Sequence, residues 1–168
     1  MQKRSKKMAM LMIGTAAVAA IGVANIASAG HTNTVLNTTL DGRNEVANGA
    51  TNSRIVGDPN GRGEVYVFGI DGDTTTLCYV LTVDKLATAT GAHIHKGAVG
   101  TNGPIVANLA APGDGNAADC LTEGEAGPKF PTGEKVADIL ANPQNYYVNV
   151  HNAEYPGGAI RGQLAPQG

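Results

Sequence analysis

Four histidines occur in this 168-residue chain, and two of them, His93 and His95, stand one residue apart in TGAHIHKGAVGTNGPIV (90–106). Side chains two apart on a strand point to the same face, with Cα atoms roughly 6.5–7 Å apart. Two imidazoles so placed converge on one ion at about 2.0–2.1 Å per nitrogen, with Ile94 between them facing the core. The third candidate ligand is His151, at the end of YYVNVH, which shares a face with Asn149 and Tyr147 while Val148 and Val150 face the other way. If the two strands are neighbours, three imidazoles meet at one end of the fold, and a single ion then demands their nitrogens within about 4 Å of one another. Neutral imidazole suits copper and zinc, so copper is the first expectation and zinc the second. A structural reading of the same residues also stands. In it, His93 and His95 hydrogen-bond across a strand end, and His151 pairs with Glu154 or Asp84. His31, near the start of the chain, is outside the set.

The residues around these histidines offer outer-sphere partners in Asn149, Glu154 and Arg161. In GGAIRGQL, Arg161 alternates with Ala159 and Gln163, opposite Ile160 and Leu164. That pattern makes it a solvent-facing or carboxylate-paired strand residue. Asp41 and Gly42 of DGRNEV form a turn, and Glu45 caps it or pairs with a nearby cation. No second carboxylate is spaced for acid–base work, so no catalytic residue is assigned. The chain has no GxSxG, no P-loop, no GxGxxG after a strand and no CxxC. DPNGRGE and DGDTT do not complete an EF-hand loop.

Short strands separated by turn clusters must position these groups. GEVYVFGI (63–70) and LCYVLTV (77–83) flank the turn DGDTT as a β-hairpin, with Leu77, Tyr79, Leu81 and Val83 on one face. YYVNVHN (146–152) and GGAIRGQL (157–164) form a second pair linked by AEYPG, and NTVLNTTLDG (33–42) reads as an entry strand. The Gly-, Pro- and Ala-rich stretch from Gly97 to Pro131 holds one short strand, PIVANL. Helix is scarce: GEKVADILANP (133–143) has Val136, Ile139 and Leu140 at helical spacing and is closed by Pro143. The fold class is all-β, a Greek-key β-sandwich or flattened barrel with one short helix.

Residues 1–29 read as a signal peptide. MQKRSKK is the basic region, MAMLMIGTAAVAAIGVANI the apolar one, and Ala27 and Ala29 stand at the small-residue cleavage positions. Residues 30–168 then form a single domain, exported to the periplasm or secreted. Cleavage removes Lys3, Arg4, Lys6 and Lys7 and no acid, leaving eight basic residues against fourteen acidic ones, a net charge of −6 in place of −2. An acidic surface without basic clusters argues against nucleic acid and anionic membrane as partners. In an exported chain the two cysteines, Cys78 and Cys120, are expected as a disulfide.

LDGRNEV (40–46), LCYVLTV, GAHIHKGAVGTNGPIV (91–106) and NPQNYYVNVHNAEYPGGAIRGQL (142–164) together resemble the chordin-like (CHRD) domain family over about residues 36–164. The family occurs in bacterial exported proteins and as repeats in animal chordin, which binds bone morphogenetic proteins. The resemblance therefore implies an exported binding or matrix module with a protein or polysaccharide partner. GAHIH and VNVHN are also distantly similar to the copper-ligand segments of copper/zinc superoxide dismutases, a Greek-key barrel family. That likeness implies His93, His95 and His151 as copper ligands and Arg161 in the place of the arginine that guides superoxide. The bridging histidine and the zinc loop of that family have no counterpart here. Three functions are thus carried forward: a copper-binding exported protein, a binding module without metal, and a dismutase-like enzyme.

Overall fold

The computed structural model describes residues 34–47 and 55–167. The expected signal peptide and His31 lie outside the described residues. Among the described residues, nine strands form one sheet: β1 Val35–Asp41, β2 Arg62–Ile70, β3 Asp73–Asp84, β4 Ala89–Lys96, β5 Ile105–Leu109, β6 Asn116–Thr122, β7 Tyr146–Asn152, β8 Ile160–Gln163 and β9 Ala165–Pro166. Their order is β5-β4-β7-β8-β1-β2-β3-β6, with β9 paired to β1. Along this order the chain crosses from β3 to β4, from β5 to β6 and from β6 to β7, which makes the connectivity Greek-key. The sheet curls into a nearly closed barrel, as the all-β reading requires.

Alternation explains which way each strand faces. Leu36 and Leu40 of β1, Val65 and Val67 of β2, and Leu77, Tyr79 and Leu81 of β3 are buried in one core with Ala92 and Ile94 of β4, Val148 and Val150 of β7 and Ile160 of β8. A helix, α1 (Val136–Ala141), adds Val136 and Ile139 to that core. Its first turn has no side-chain cap from Lys135. Instead the Val136 amide donates to Glu123 Oε1 at 2.8 Å, and Lys135 holds the other oxygen of that carboxylate at 2.7 Å.

The open edges are managed. The segment after β6 runs along β5, where the Asn108 amide donates to the Lys129 carbonyl at 2.9 Å and the Asn108 side chain to the Pro128 carbonyl. The Tyr79 hydroxyl, reached from the core, accepts from the Ala110 amide at 2.7 Å and ties β3 to the end of β5.

Three sequence expectations change. β6 was not anticipated: NAADCLT has no apolar alternation, because as an edge strand it exposes most of its residues and pairs only with β3. The hairpin turn is shorter than DGDTT, since β3 already begins at Asp73 and Gly72 alone takes a positive φ, 77°. β8 begins at Ile160 rather than at Gly157, the glycines before it being turn. Cys78 and Cys120 face each other directly across β3 and β6 and form a disulfide. Closing a loop of that sequence separation, 42 residues, contributes roughly 3–4 kcal/mol through the entropy of the unfolded chain.

A candidate three-histidine metal centre

β4 and β7 are antiparallel neighbours, with His93 opposite Asn149, His95 opposite Tyr147 and Gly91 opposite His151. Ala92, Ile94, Val148 and Val150 point into the core, so His93, His95, Tyr147, Asn149 and His151 share the outer face of the same two strands. Two register shifts flank the pair, one between Ala89 and Gly91 against β7 and one between Ile94 and His95 against β5. Such bulges re-aim side chains at the ends of a strand.

The outer face is not a solvent face. Every residue of β7 is at least partly buried, and His95, Asn149 and Arg161 are buried outright. Two loops cover it. The first, between β4 and β5, is pinned by the Lys96 amide to the Pro104 carbonyl at 3.0 Å and by a turn at Gly100, whose φ is 76°. The second is the turn after β7, in which Asn152 Oδ1 accepts from the amides of Glu154 and Tyr155 at 3.1 and 2.8 Å.

Each loop also fixes one imidazole. His95 Nδ1 lies 2.9 Å from the Gly103 carbonyl, and His151 Nδ1 lies 3.1 Å from the Pro156 carbonyl. A carbonyl oxygen only accepts, so both Nδ1 atoms carry the proton, and in each neutral ring Nε2 keeps the lone pair. Those Nε2 atoms are buried with no hydrogen-bond partner among the described residues, and so is Nδ1 of His93. One nitrogen from each ring lies within 4.8 Å of the other two. The ring centroids are 4.9 Å apart for His93 and His151, 5.7 Å for His93 and His95, and 6.3 Å for His95 and His151. The nitrogen spacing is wider than the 4 Å expected from the sequence. Metal–nitrogen bonds of 2.0–2.1 Å need each ring to close inward by less than about 1 Å.

The electrostatics favour the ligand form of all three rings. Burial holds His93 down at about 4, with His151 and His95 beside it adding to the shift. Burial also lowers His95 and His151, against the upward pull of their carbonyl partners. Neutral imidazole is what a metal binds, so the rings need no deprotonation at neutral pH.

Arg161 is not solvent-facing: it is 2% exposed. It sits on β8 opposite Asn149, and its guanidinium carbon lies 3.3 Å from the centre of the Tyr147 ring. Tyr147 in turn stacks on His95, with centroids 4.8 Å apart and planes 8° from parallel. The guanidinium also donates to the Thr101 carbonyl at 2.7 Å, to Asn102 Oδ1 at 3.1 Å and to the Ala98 carbonyl at 3.4 Å. Arg161 therefore grips the loop that orients His95. The expected solvent is replaced by backbone carbonyls and an aromatic face, because loop 97–104 folds over the strand, and the expected carboxylate partner survives as the electrostatic interaction with Glu45.

Asn149 donates to Glu45 Oε2 at 3.3 Å, and its own Oδ1 is buried with no partner among the described residues. Glu45 is buried against Gly158, where a Cβ would fall 2.5 Å from Oε2. Burial pushes its carboxyl up to about 7, although Arg161 and Asn149 pull it down. Glu154 is exposed, and among the described residues no hydrogen bond links its side chain to His151. The sequence reading placed Tyr147 on the right face without giving it a role, and it gave Gly103 none. The two-residue alternation back from His151 was the signal for Tyr147. Nothing local to Gly103 announces that its carbonyl holds His95.

These burials predict a pH profile for the metal-free protein. The imidazoles bind protons more readily unfolded, near 6.5, than folded, where His93 lies at about 4, so stability rises with pH across that window. Glu45 acts oppositely: its folded value of about 7 exceeds the ordinary 4.5, so its contribution fades as pH rises between them. Three rings outweigh one carboxyl. Urea midpoints are expected to climb from pH 4 to 6.5, and more steeply in Glu45→Gln. A flat profile contradicts burial of the neutral rings.

The family model of the CHRD domain matches residues 36–164, a span that holds β2 through β8 and all of β1 but Val35, and leaves out β9. The chain belongs to the CHRD domain family. Both loops that clamp the imidazoles, and all three histidines, lie inside the CHRD match. A comparison with curated proteins gives no match. CHRD domains are typically extracellular, and the disulfide between Cys78 and Cys120 fits an oxidising compartment. Among the described residues, no helix of this CHRD protein is long and apolar enough to cross a membrane.

Proposed function

We propose that this CHRD domain is an exported metal-binding protein that holds one transition metal ion, copper before zinc, on His93, His95 and His151. The observation that supports this reading is that His93, His95 and His151 each bring a ring nitrogen within 4.8 Å of the other two, and that each ring carries a buried nitrogen with no hydrogen-bond partner among the described residues. Buried polar atoms are nearly always satisfied, so three neighbouring rings that each keep an unsatisfied nitrogen call for a common partner. An acceptor lone pair on each of three rings is met by a cation and not by another acceptor.

The donor set argues for the metal's class. It contains imidazole nitrogen alone, with no carboxylate, which disfavours calcium and magnesium and suits copper and zinc. For a site of fixed geometry, copper(II) outcompetes zinc in the usual affinity order. Three protein ligands leave a coordination position open, so the ion could be carried, delivered or presented to a small molecule. Export follows from the leader-like residues 1–29 and from the disulfide.

Native mass spectrometry of the mature chain after copper addition tests the reading. One tightly held ion per chain, displacing zinc when both are supplied, is the expected result. A protein that stays metal-free under those conditions is instead a binding module without metal, the reading that the family resemblance implies.

A further inference from the structure

We infer that Arg161, acting through the stacked ring of Tyr147, makes this site select copper(I) over copper(II). The inference rests on the proposed metal centre and concerns which charge state of the ion the site prefers.

Three neutral imidazoles supply no negative charge, so the charge of a bound ion is met by what surrounds the rings. The group stacked in line with a ligand is a cation. Arg161 lies over one face of Tyr147 and His95 under the other, with ring planes 8° from parallel. The guanidinium therefore sits one aromatic ring beyond a proposed ligand, in a layer from which water is largely excluded. In such surroundings a fixed positive charge disfavours a doubly charged ion more than a singly charged one. The stack is also held rigid. Three donor contacts to Ala98, Thr101 and Asn102 anchor the guanidinium, and the Tyr147 hydroxyl accepts from the Gly103 amide at 3.2 Å.

The counter-charge is limited. Glu45 and Asp58 are the buried carboxylates among the described residues. Asp58 accepts from the amides of Asn60 and Gly61 at 2.9 and 3.1 Å and shapes its own turn. Glu45 approaches the site through Asn149 and interacts electrostatically with Arg161, so its carboxylate opposes the guanidinium when ionised.

The test measures the affinities of the mature protein for copper(I) and copper(II) separately, by competition with a chelator specific for each ion, at pH 8. Arg161→Gln is expected to lower the copper(I)-to-copper(II) affinity ratio roughly tenfold, the size of one unit charge lost at this range in a partly screened interior. Arg161→Lys, which keeps the charge, is expected to stay close to the wild-type ratio. Glu45→Gln, which removes the opposing charge, is expected to raise the ratio, and it decides the matter alone if the Arg161 variants do not fold. A wild-type protein that binds neither ion removes the metal centre itself. A protein that binds both, with a ratio unmoved by Arg161→Gln and by Glu45→Gln, overturns the role of Arg161 and leaves the centre standing. An equal fall in Arg161→Lys and Arg161→Gln also overturns it, because geometry rather than charge would then be the cause.

Discussion

His151→Ala is expected to weaken copper binding by about a thousandfold or more, since losing even an outer-shell partner of a ligand typically lowers affinity 10–100-fold. The protein should stay folded. Among the described residues His151 makes one side-chain hydrogen bond, to the Pro156 carbonyl, and its other nitrogen is unsatisfied, so truncation removes as much burial penalty as packing. Glu154→Gln is the matched control: it lies on the same turn, is exposed, and should bind copper as the unaltered protein does. Competition titration against a chelator of known affinity reads both. Equal affinities for His151→Ala and the unaltered chain rule out a site that needs the third ring.

Gly103→Ala is expected to be the most damaging single methyl group in the molecule's site region. A Cβ at position 103 would fall 1.7 Å from the Lys96 carbonyl oxygen and 2.7 Å from its carbon, both backbone atoms that cannot swing aside. The loop between β4 and β5 would have to open, breaking the bond from the Lys96 amide to the Pro104 carbonyl. The loss should be about 3 kcal/mol or more in urea unfolding. Metal affinity should fall with it, because the Gly103 carbonyl orients His95 and the Gly103 amide meets Tyr147. Gly100→Ala provides the comparison: no atom lies within 4 Å of its Cβ, and the only penalty is the positive φ, about 1 kcal/mol. Similar losses at the two positions would mean that the loop is looser than its hydrogen bonds imply.

The contrast between these two glycines shows where sequence reading reached its limit. Alternation in GEVYVFGI and LCYVLTV marks the core faces because one side of each strand meets apolar neighbours. The same rule put His93 with His95, and His151 with Tyr147 and Asn149, on common faces, and β4 and β7 are indeed adjacent. The rule assumes that the other face meets water, and there it misleads. Loop 97–104 and the turn after β7 fold over the outer face, so Arg161, Asn149 and Glu45 are buried by residues far from them in the chain. No local pattern encodes that cover. β6 escaped notice for the opposite reason: most of its residues are exposed and only Leu121 is fully buried, and pairing with β3 together with the Cys120 bridge holds it in place, neither of which leaves a hydropathy signal. His95 was legible as a candidate ligand, while the stack of Tyr147 and Arg161 behind it was not, because stacking joins three strands.

The most direct measurement is anomalous X-ray diffraction at the copper edge from crystals of the mature protein grown with one equivalent of copper. One peak is expected, about 2.0–2.1 Å from His93 Nδ1, His95 Nε2 and His151 Nε2, with the three rings drawn inward from their metal-free spacing. A copper peak elsewhere, or no peak while the three nitrogens remain as far apart as 4.8 Å, contradicts a metal centre at these histidines.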